Sequence, residues 1–387
     1  MKFIHTADWH LGKLVQGVYM TEDQRYVLDQ LIEVIEQEKP DAVVIAGDLY
    51  DRAIPPTDAV ELLNHVLERI VIDLKTPILA ISGNHDSPDR IDFGTRMMEA
   101  QGLHLIGQLK KEHRPVVLRD EHGEVHFHLV PFADPSQVRF VRDDEDIRTH
   151  DDAMRAITNQ IKSTMSPDAR HIFVGHAFVT PGGEREDNTS ESERTLSIGG
   201  AEYVSSEYYA PFHYTALGHL HQAHYVKHEN IRYAGSPLKY SISEEHHRKG
   251  FSIIHLDGEG NVAIERRLLK PLHDMRRVEA TIEDIMTHPR CDDYVFVTLL
   301  NENPVLFPME KVRSAYPNAM HVGRKVTYGN SRNHDSLDQG RERNKIDPIT
   351  LFSAFYQEVR GSALTEEKKR LFAEVLEVVQ QEEGTQQ

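Results

Sequence analysis

Pro77-Ile78-Leu79-Ala80-Ile81-Ser82-Gly83-Asn84-His85-Asp86 is the stretch on which the reading of this chain turns. Its first six residues form an apolar run stopped by a glycine, the pattern of a buried strand entering a tight turn. On that turn a neutral amide (Asn84), a proton-transfer group (His85) and a carboxylate (Asp86) arrive together. In open α/β sheets the carboxyl ends of strands are where ligands bind. Four further clusters follow apolar runs in the same way: Asp8-Trp9-His10, Gly47-Asp48-Leu49-Tyr50-Asp51, Gly175-His176 and Gly218-His219-Leu220-His221.

Working outward from that stretch, residues 2–7 and 41–46 read as two more buried strands. Residues 21–38 show helical spacing (Val27, Leu28, Leu31, Ile32, Ile35) behind a Thr21 cap, and a second helix follows Pro55-Pro56-Thr57, with Val60, Leu63, Val66 and Leu67 on one face. Strand, helix, strand, helix, strand over the first 80 or so residues implies parallel pairing, with each polar turn at a carboxyl end. Short β segments fill 103–133, where His126 and His128 alternate onto one face and read as solvent-side or mixed-face residues. A helix is expected at 151–164, and a polar insert at about 180–200 is of a length that is often functional. The pair His246-His247, among Glu244, Glu245, Arg248 and Lys249, reads as solvated surface. A hairpin across residues 257–261 closes the first domain.

Beyond it, residues 275–328 have β-α-β-α-β character, 329–345 form a polar linker, and two amphipathic helices end the chain. Ile349, Phe352, Phe355, Tyr356 and Val359 share one face, and Leu371, Phe372, Val375, Leu376 and Val379 another. The expected division is 1–270, 271–328, a linker at 329–346 and a helical segment at 347–387.

Composition narrows the function. A single cysteine, Cys291, excludes a disulfide framework and a thiolate metal site. No apolar run approaches the roughly 20 residues of a membrane span, and no signal peptide precedes the first strand, so a cytoplasmic protein is expected. A net charge of −18 argues against coating nucleic acid by electrostatics alone. Two basic stretches, 266–277 and 324–345, are the exceptions, read either as phosphate-tracking patches or as solvated linkers.

The residue types in the turns suit metal chemistry. Asp8 and Asp48, with Asp51 as a further option, offer carboxylates; His10, His176, His219 and His221 offer imidazoles; Asn84 offers an amide oxygen. A mixed nitrogen and oxygen set favours Mn, Fe or Zn over Ca or Mg. Asp48 is the natural bridging carboxylate, and His85 neighbours a ligand without needing to be one. It is placed to donate a proton to a leaving oxygen or to stabilise transition-state charge. The set reads as a two-metal phosphoesterase centre.

Those five turns, in this order, resemble the calcineurin-like metallophosphoesterases. The opening His5-Thr6-Ala7-Asp8-Trp9-His10-Leu11-Gly12, Ser192-Glu193-Arg194 and Gly235-Ser236-Pro237-Leu238 narrow the resemblance to the nuclease-subunit family of bacterial SbcCD complexes, over essentially the whole chain. The resemblance implies an α/β fold: a metallophosphoesterase β-sandwich flanked by helices, a small α+β capping domain that selects DNA, and C-terminal helices. It implies two Mn ions, one held by Asp8, His10, Asp48 and His221, the other by Asp48, Asn84, His176 and His219. It also implies docking of the terminal helices on SbcC, an SMC-like ABC ATPase, and pairing of two nuclease subunits. The activities it implies are 3′-to-5′ exonuclease on duplex ends and endonuclease on hairpins and single strands, in DNA repair and recombination. One departure stands out: archaeal relatives carry a histidine where this chain has Asp51, so that histidine's role does not transfer. Two other readings fit the same turns, a phosphoesterase of small nucleotides and a non-catalytic scaffold; a scaffold would be expected to lose ligands.

Overall fold

The computed structural model describes residues 1–183, 193, 202–325, 348–360 and 363–384. The expected linker at 329–346 and the 180–200 insert from residue 184 onward, Glu193 excepted, lie outside the described residues. The chain forms two compact units, residues 1–325 and 326–387.

The first unit is built on two six-stranded sheets. In the first sheet the strands Lys2–Thr6, Ala42–Ala46, Ile78–Ile81 and Leu103–Ile106 run parallel, as the alternation of apolar runs and helical periods predicts. An antiparallel hairpin, Gly250–Leu256 and Val262–Leu268, is added beside the first strand. In the second sheet Gly123–Val130, Arg170–His176, Tyr214–Gly218 and His228–Tyr233 are parallel. Val116–Asp120 and His224–Val226 close its edges antiparallel. Phe3, Val44, Leu79 and Ile81 from one sheet meet Phe127, Ile172, Val174 and Tyr214 from the other in a common core. The central strands are buried on both faces, which is why they read as continuous apolar runs.

Helices Thr21–Glu38 and Thr57–Glu68 cover the outer face of the first sheet, and His150–Thr164 covers the second. Two helical expectations need correction. Thr21 is not a side-chain cap; its hydroxyl donates instead to Asp58 Oδ2 at 2.7 Å. On the second helix the buried stripe is Ala59, Leu62, Leu63 and Val66, so Val60 falls on the exposed side.

The strands Met275–Ala280, Tyr294–Leu299 and Ala319–Arg324 form a parallel three-stranded sheet, with helices Ile282–Ile285 and Pro308–Ala315 and a core of its own. It rests on the larger part through Val15, Met20, Met275 and Tyr294. Buried Asp23 ties the contact down, accepting from Tyr294 Oη at 2.7 Å and meeting His273 Nδ1 at 2.9 Å.

In the second unit, helices Pro348–Arg360 and Glu366–Gly384 pack on each other through Phe352 and Phe372, whose rings stack with centroids 3.9 Å apart. Leu351, Phe355, Leu371 and Val375 remain exposed. Val359 and Val379 have no described side chain.

Of the two histidines read as solvent-side or mixed-face, His126 is half-buried but His128 is buried, because the helix His150–Thr164 and the ring of Phe212 cover that face of the sheet. His113 Nε2 meets His128 Nδ1 at 3.0 Å, His128 Nε2 meets His171 Nδ1 at 2.9 Å, and His171 Nε2 donates to the carbonyl of Ser166 at 2.8 Å. That carbonyl only accepts, so each ring in turn must donate from Nε2 and accept at Nδ1. The row is therefore satisfied when neutral. Burial and the neighbouring imidazoles push His128 down to about 2, and burial with Arg142 pushes His113 down to about 4. An unfolded histidine takes up its proton near pH ~6.5. The stabilisation is thus complete above that pH and declines as pH falls below it, by about 2 kcal/mol at pH 5 for His128 alone. Urea denaturation between pH 7 and 5 should show this decline, and His128→Gln should reduce its slope.

Candidate metal centre

Local backbone geometry aims the polar turns inward. Asp8, His10 and Asp48 take left-handed backbone with φ of 54°, 46° and 51°, and His219 has φ 104°. Such conformations are costly for non-glycine residues and persist where surrounding structure holds them, often at functional sites. Here main-chain bonds do so: Asp8 N–H donates to the Gly47 carbonyl and His10 N–H to the Asp48 carbonyl, both at 3.0 Å. Two glycines permit the close approach of the strand ends. A Cβ on Gly83 would lie 2.1 Å from Asp48 Oδ1, and one on Gly218 would lie 1.9 Å from the Ala46 carbonyl oxygen.

The seven candidate ligands converge from both sheets. Asp8, His10 and His221 present ligand atoms within 4.8 Å of one another, and so do Asp8, Asp48 and His176. Asp48 Oδ2 lies 3.5 Å from His10 Nε2 and 3.3 Å from His176 Nε2, between the two groups. Asn84 Oδ1 lies 2.9 Å from His176 Nε2 and 3.3 Å from His219 Nδ1. His10 Nε2 and His221 Nε2 face each other at 3.1 Å. All but Asn84, which is half-buried, are buried.

The donor set fits cations. His176 Nδ1–H donates to the Ala46 carbonyl at 2.9 Å, which leaves the Nε2 lone pair turned toward the oxygens of Asn84 and Asp48. Asp8 Oδ2 and His10 Nδ1 are buried without a hydrogen-bond partner. Acceptors facing acceptors in a buried site is an arrangement that a divalent ion relieves. Proton affinities show the same crowding. Burial outweighs nearby His176 and His221 and pushes Asp8 up to about 7. With a proton on Nε2 in the place of an ion, burial disfavours the His176 cation, but Asp48 overrides it and holds that ring up at about 9. Asp48 is also opposed by burial, yet His176 and His10 hold it well below the carboxylate range.

His85 forms a third such group with His10 and Asp51, and it has an attachment of its own. Its N–H donates to Asp48 Oδ1 at 2.9 Å and its Nδ1 to the Asp51 carbonyl at 2.8 Å, so the ring is held through Nδ1. Asp51 pairs with Lys13 at 2.8 Å and approaches His10 Nδ1 only to 3.6 Å, beyond a hydrogen bond. Asp86 does not face the cluster. Its carboxylate accepts from the N–H groups of Leu49, Tyr50 and Gly83 at 2.9–3.0 Å and staples the two turns together.

Sequence reasoning missed the support behind His221. Glu244 and Lys249, expected on a solvated loop, are both buried. Glu244 Oε1 accepts from His221 Nδ1 at 3.0 Å, and Lys249 Nζ bonds to Glu244, to the His221 carbonyl and to Ser236 Oγ. The His221 N–H donates to Glu193 of the polar insert. Gln24 holds the other side, bonding the carbonyls of Trp9 and His10 and the Gly12 N–H. Nothing in the run of charges around Glu244 distinguishes it from surface.

Residues 1–223 match the calcineurin-like phosphoesterases, and residues 271–360 match the type 5 capsule protein repressor C-terminal domain. The chain belongs to the calcineurin-like phosphoesterase family. It is 34% identical over 99% of its length, and 100% of the relative's, to a subunit of the nuclease SbcCD from Staphylococcus epidermidis. It is 32% identical to the corresponding SbcCD nuclease chain of Staphylococcus saprophyticus over 99% of both chains. A dimetal phosphatase structure from Danio rerio is 12% identical over 69% of this chain and 96% of that one, with a TM-score of 0.42.

Partners behind a metal-binding histidine typically contribute 10–100-fold in metal affinity. Glu244→Gln in this phosphoesterase should weaken divalent-metal binding by a factor of that order, read by calorimetry. Glu244→Ala should in addition lower stability by about 3–5 kcal/mol in denaturant titration, because Lys249 is left buried without its carboxylate.

Proposed function

We propose that the chain is the nuclease subunit of an SbcCD-type complex, hydrolysing DNA phosphodiesters at a two-metal centre. The observation that carries this reading is the convergence of all seven candidate ligands with His85 beside them, in a chain at least 32% identical to named SbcCD nuclease subunits over nearly its full length. Asp8, His10, Asp48 and His221 would hold one Mn ion; Asp48, Asn84, His176 and His219 would hold the other. When bound, two such ions would activate a water and offset the charge on the phosphoryl oxygens of an in-line displacement. The protein's own part is to fix the cradle and to hold His85 Nε2 toward the leaving oxygen. The substrates are duplex ends, degraded 3′ to 5′, and hairpins or single strands, cut internally, in the cytoplasm.

In this reading residues 271–328 form a DNA-selecting cap and 347–387 dock on SbcC, with two nuclease subunits pairing as a homodimer. The exposed face of Leu351, Phe355, Leu371 and Val375 supports a docking role, since such faces are usually covered by a partner.

Digestion of end-labelled duplex, hairpin and single-stranded DNA with Mn tests the reading directly. Asp48→Asn should lose both ions and cleavage together while the fold persists, seen by metal analysis and circular dichroism. His85→Ala should retain both ions with turnover down on the order of 10²–10⁴-fold; metal loss in step with rate would make His85 a ligand instead.

Removal of residues 346–387 should leave Mn-dependent cleavage of single strands intact and abolish co-purification with SbcC. Undiminished association would refute the docking role.

A further inference from the structure

Next to the metal centre, at the open edge of the sandwich, lies a cavity of about 520 Å³ lined by Gln222, Arg232, His246, His247, Arg248 and Arg266 among others. Its lining holds three arginines, two histidines and no carboxylate, in a chain with 62 acidic and 44 basic residues. The sheets build this concentration of charge. Arg266 stands on Val262–Leu268 in register with Ser252, which is in register with His5, so the three share the sheet face turned to the other sheet. Arg232, on His228–Tyr233, is in register with Ala216, a residue of the core between the sheets. Two arginines from opposite sheets therefore flank one opening.

Arg266 is the informative member. Both its Nη1 and Nη2 are buried with no hydrogen-bond partner among the described residues, and so are His5 Nε2 and Ser252 Oγ on the same row. A guanidinium presents five donors and cannot readily shed its charge. Burying it unpaired, next to another arginine, is strongly unfavourable, and its uncompensated charge adds to the positive field of the cavity. Burial pushes Arg266 down to about 10, with Arg232 adding to the effect. The expectation that the 266–277 stretch is either a patch or a solvated linker is thereby refined, because Arg266 lies within the sandwich edge.

The cavity is one residue from a candidate ligand. Gln222 follows His221, and His247 Nδ1 lies 3.3 Å from Lys249 Nζ, which itself bonds to the His221 carbonyl. Arginine forks suit the oxygens of a phosphate, and the volume is in the range of small-ligand sites. We propose that this cavity is a phosphate-binding subsite that anchors a nucleotide phosphate beside the metal centre. The proposal rests on the nuclease reading and adds the residues that hold the strand. The phosphate comes either from the backbone of bound DNA or from a released mononucleotide.

The test uses the full chain with Mn and two variants, Arg248→Gln, whose side chain is exposed, and Arg266→Gln, with Arg266→Lys as the charge-retaining control. A backbone anchor raises KM for an oligonucleotide roughly tenfold in the Gln variants, as expected for a lost charged hydrogen bond. It leaves kcat unchanged, and hydrolysis of bis(p-nitrophenyl) phosphate, which fills only the metal centre, is also unchanged. The slope of log affinity against log salt falls by about 0.7–0.9 per lost contact. A mononucleotide anchor instead leaves the oligonucleotide KM unchanged and weakens calorimetric binding of deoxyadenosine monophosphate, a measurement that needs no turnover. Either result supports the subsite. Unchanged KM, salt slope and mononucleotide binding in both folded Gln variants overturns it. Failure of the unmodified chain to cut DNA or the small diester with Mn overturns the nuclease reading instead, and the calorimetric arm still decides the subsite.

Discussion

The carboxylate of Asp48 is placed where two sheets end together, and the rest of the first unit is arranged to make that position tolerable. Its oxygens lie 3.5 Å from His10 Nε2 and 3.3 Å from His176 Nε2, and it accepts the His85 N–H at 2.9 Å. A buried carboxylate is expensive unless donors or cations surround it. Here the surroundings come from strands of both sheets, so the parallel order of each sheet and the shared core between them are preconditions of the site. Gly83 and Gly218 let the turns close to within contact, and the Asp86 staple keeps the Asp48 and Asn84 turns in register.

Support continues outward from the cluster into the smaller sheet. Glu244 holds His221 from a short helical turn, Ile242–Glu244, and the next residue, Glu245, accepts the Arg277 N–H at 2.7 Å from the strand Met275–Ala280. On the opposite side Gln24 bonds the turn carrying His10, one residue from Asp23, which holds Tyr294 and His273. Two short paths thus join the candidate ligands to the element expected to contact substrate. A shift of the smaller sheet would be felt at His221 and His10 through bonded contacts.

Charge is distributed to the same end. The surface is acidic overall, which disfavours indiscriminate binding of nucleic acid. Positive side chains gather instead around Arg232, Arg248 and Arg266, beside the cluster.

Much of the fold was legible because its signals are local. Apolar runs stopped by glycine marked the central strands and their turns, and helical periods between them required parallel pairing. The turns also announced the residue types that the tertiary structure gathers, since Asn84-His85 or His219-x-His221 at a strand end has one geometry to offer. What tertiary structure alone decided is which polar residues are covered. Glu244, Lys249 and His128 stand in charged or alternating stretches that look solvated, and each is buried by an element distant in sequence, while half-buried Arg266 has both terminal nitrogens covered. Val60 shows the reverse, an apolar residue left outside when the stripe settled on Ala59, Leu62, Leu63 and Val66. A strand's own pattern records its two faces, but whether a face meets water depends on what packs on it. The burial of a charge follows from that long-range choice, which no local period encodes.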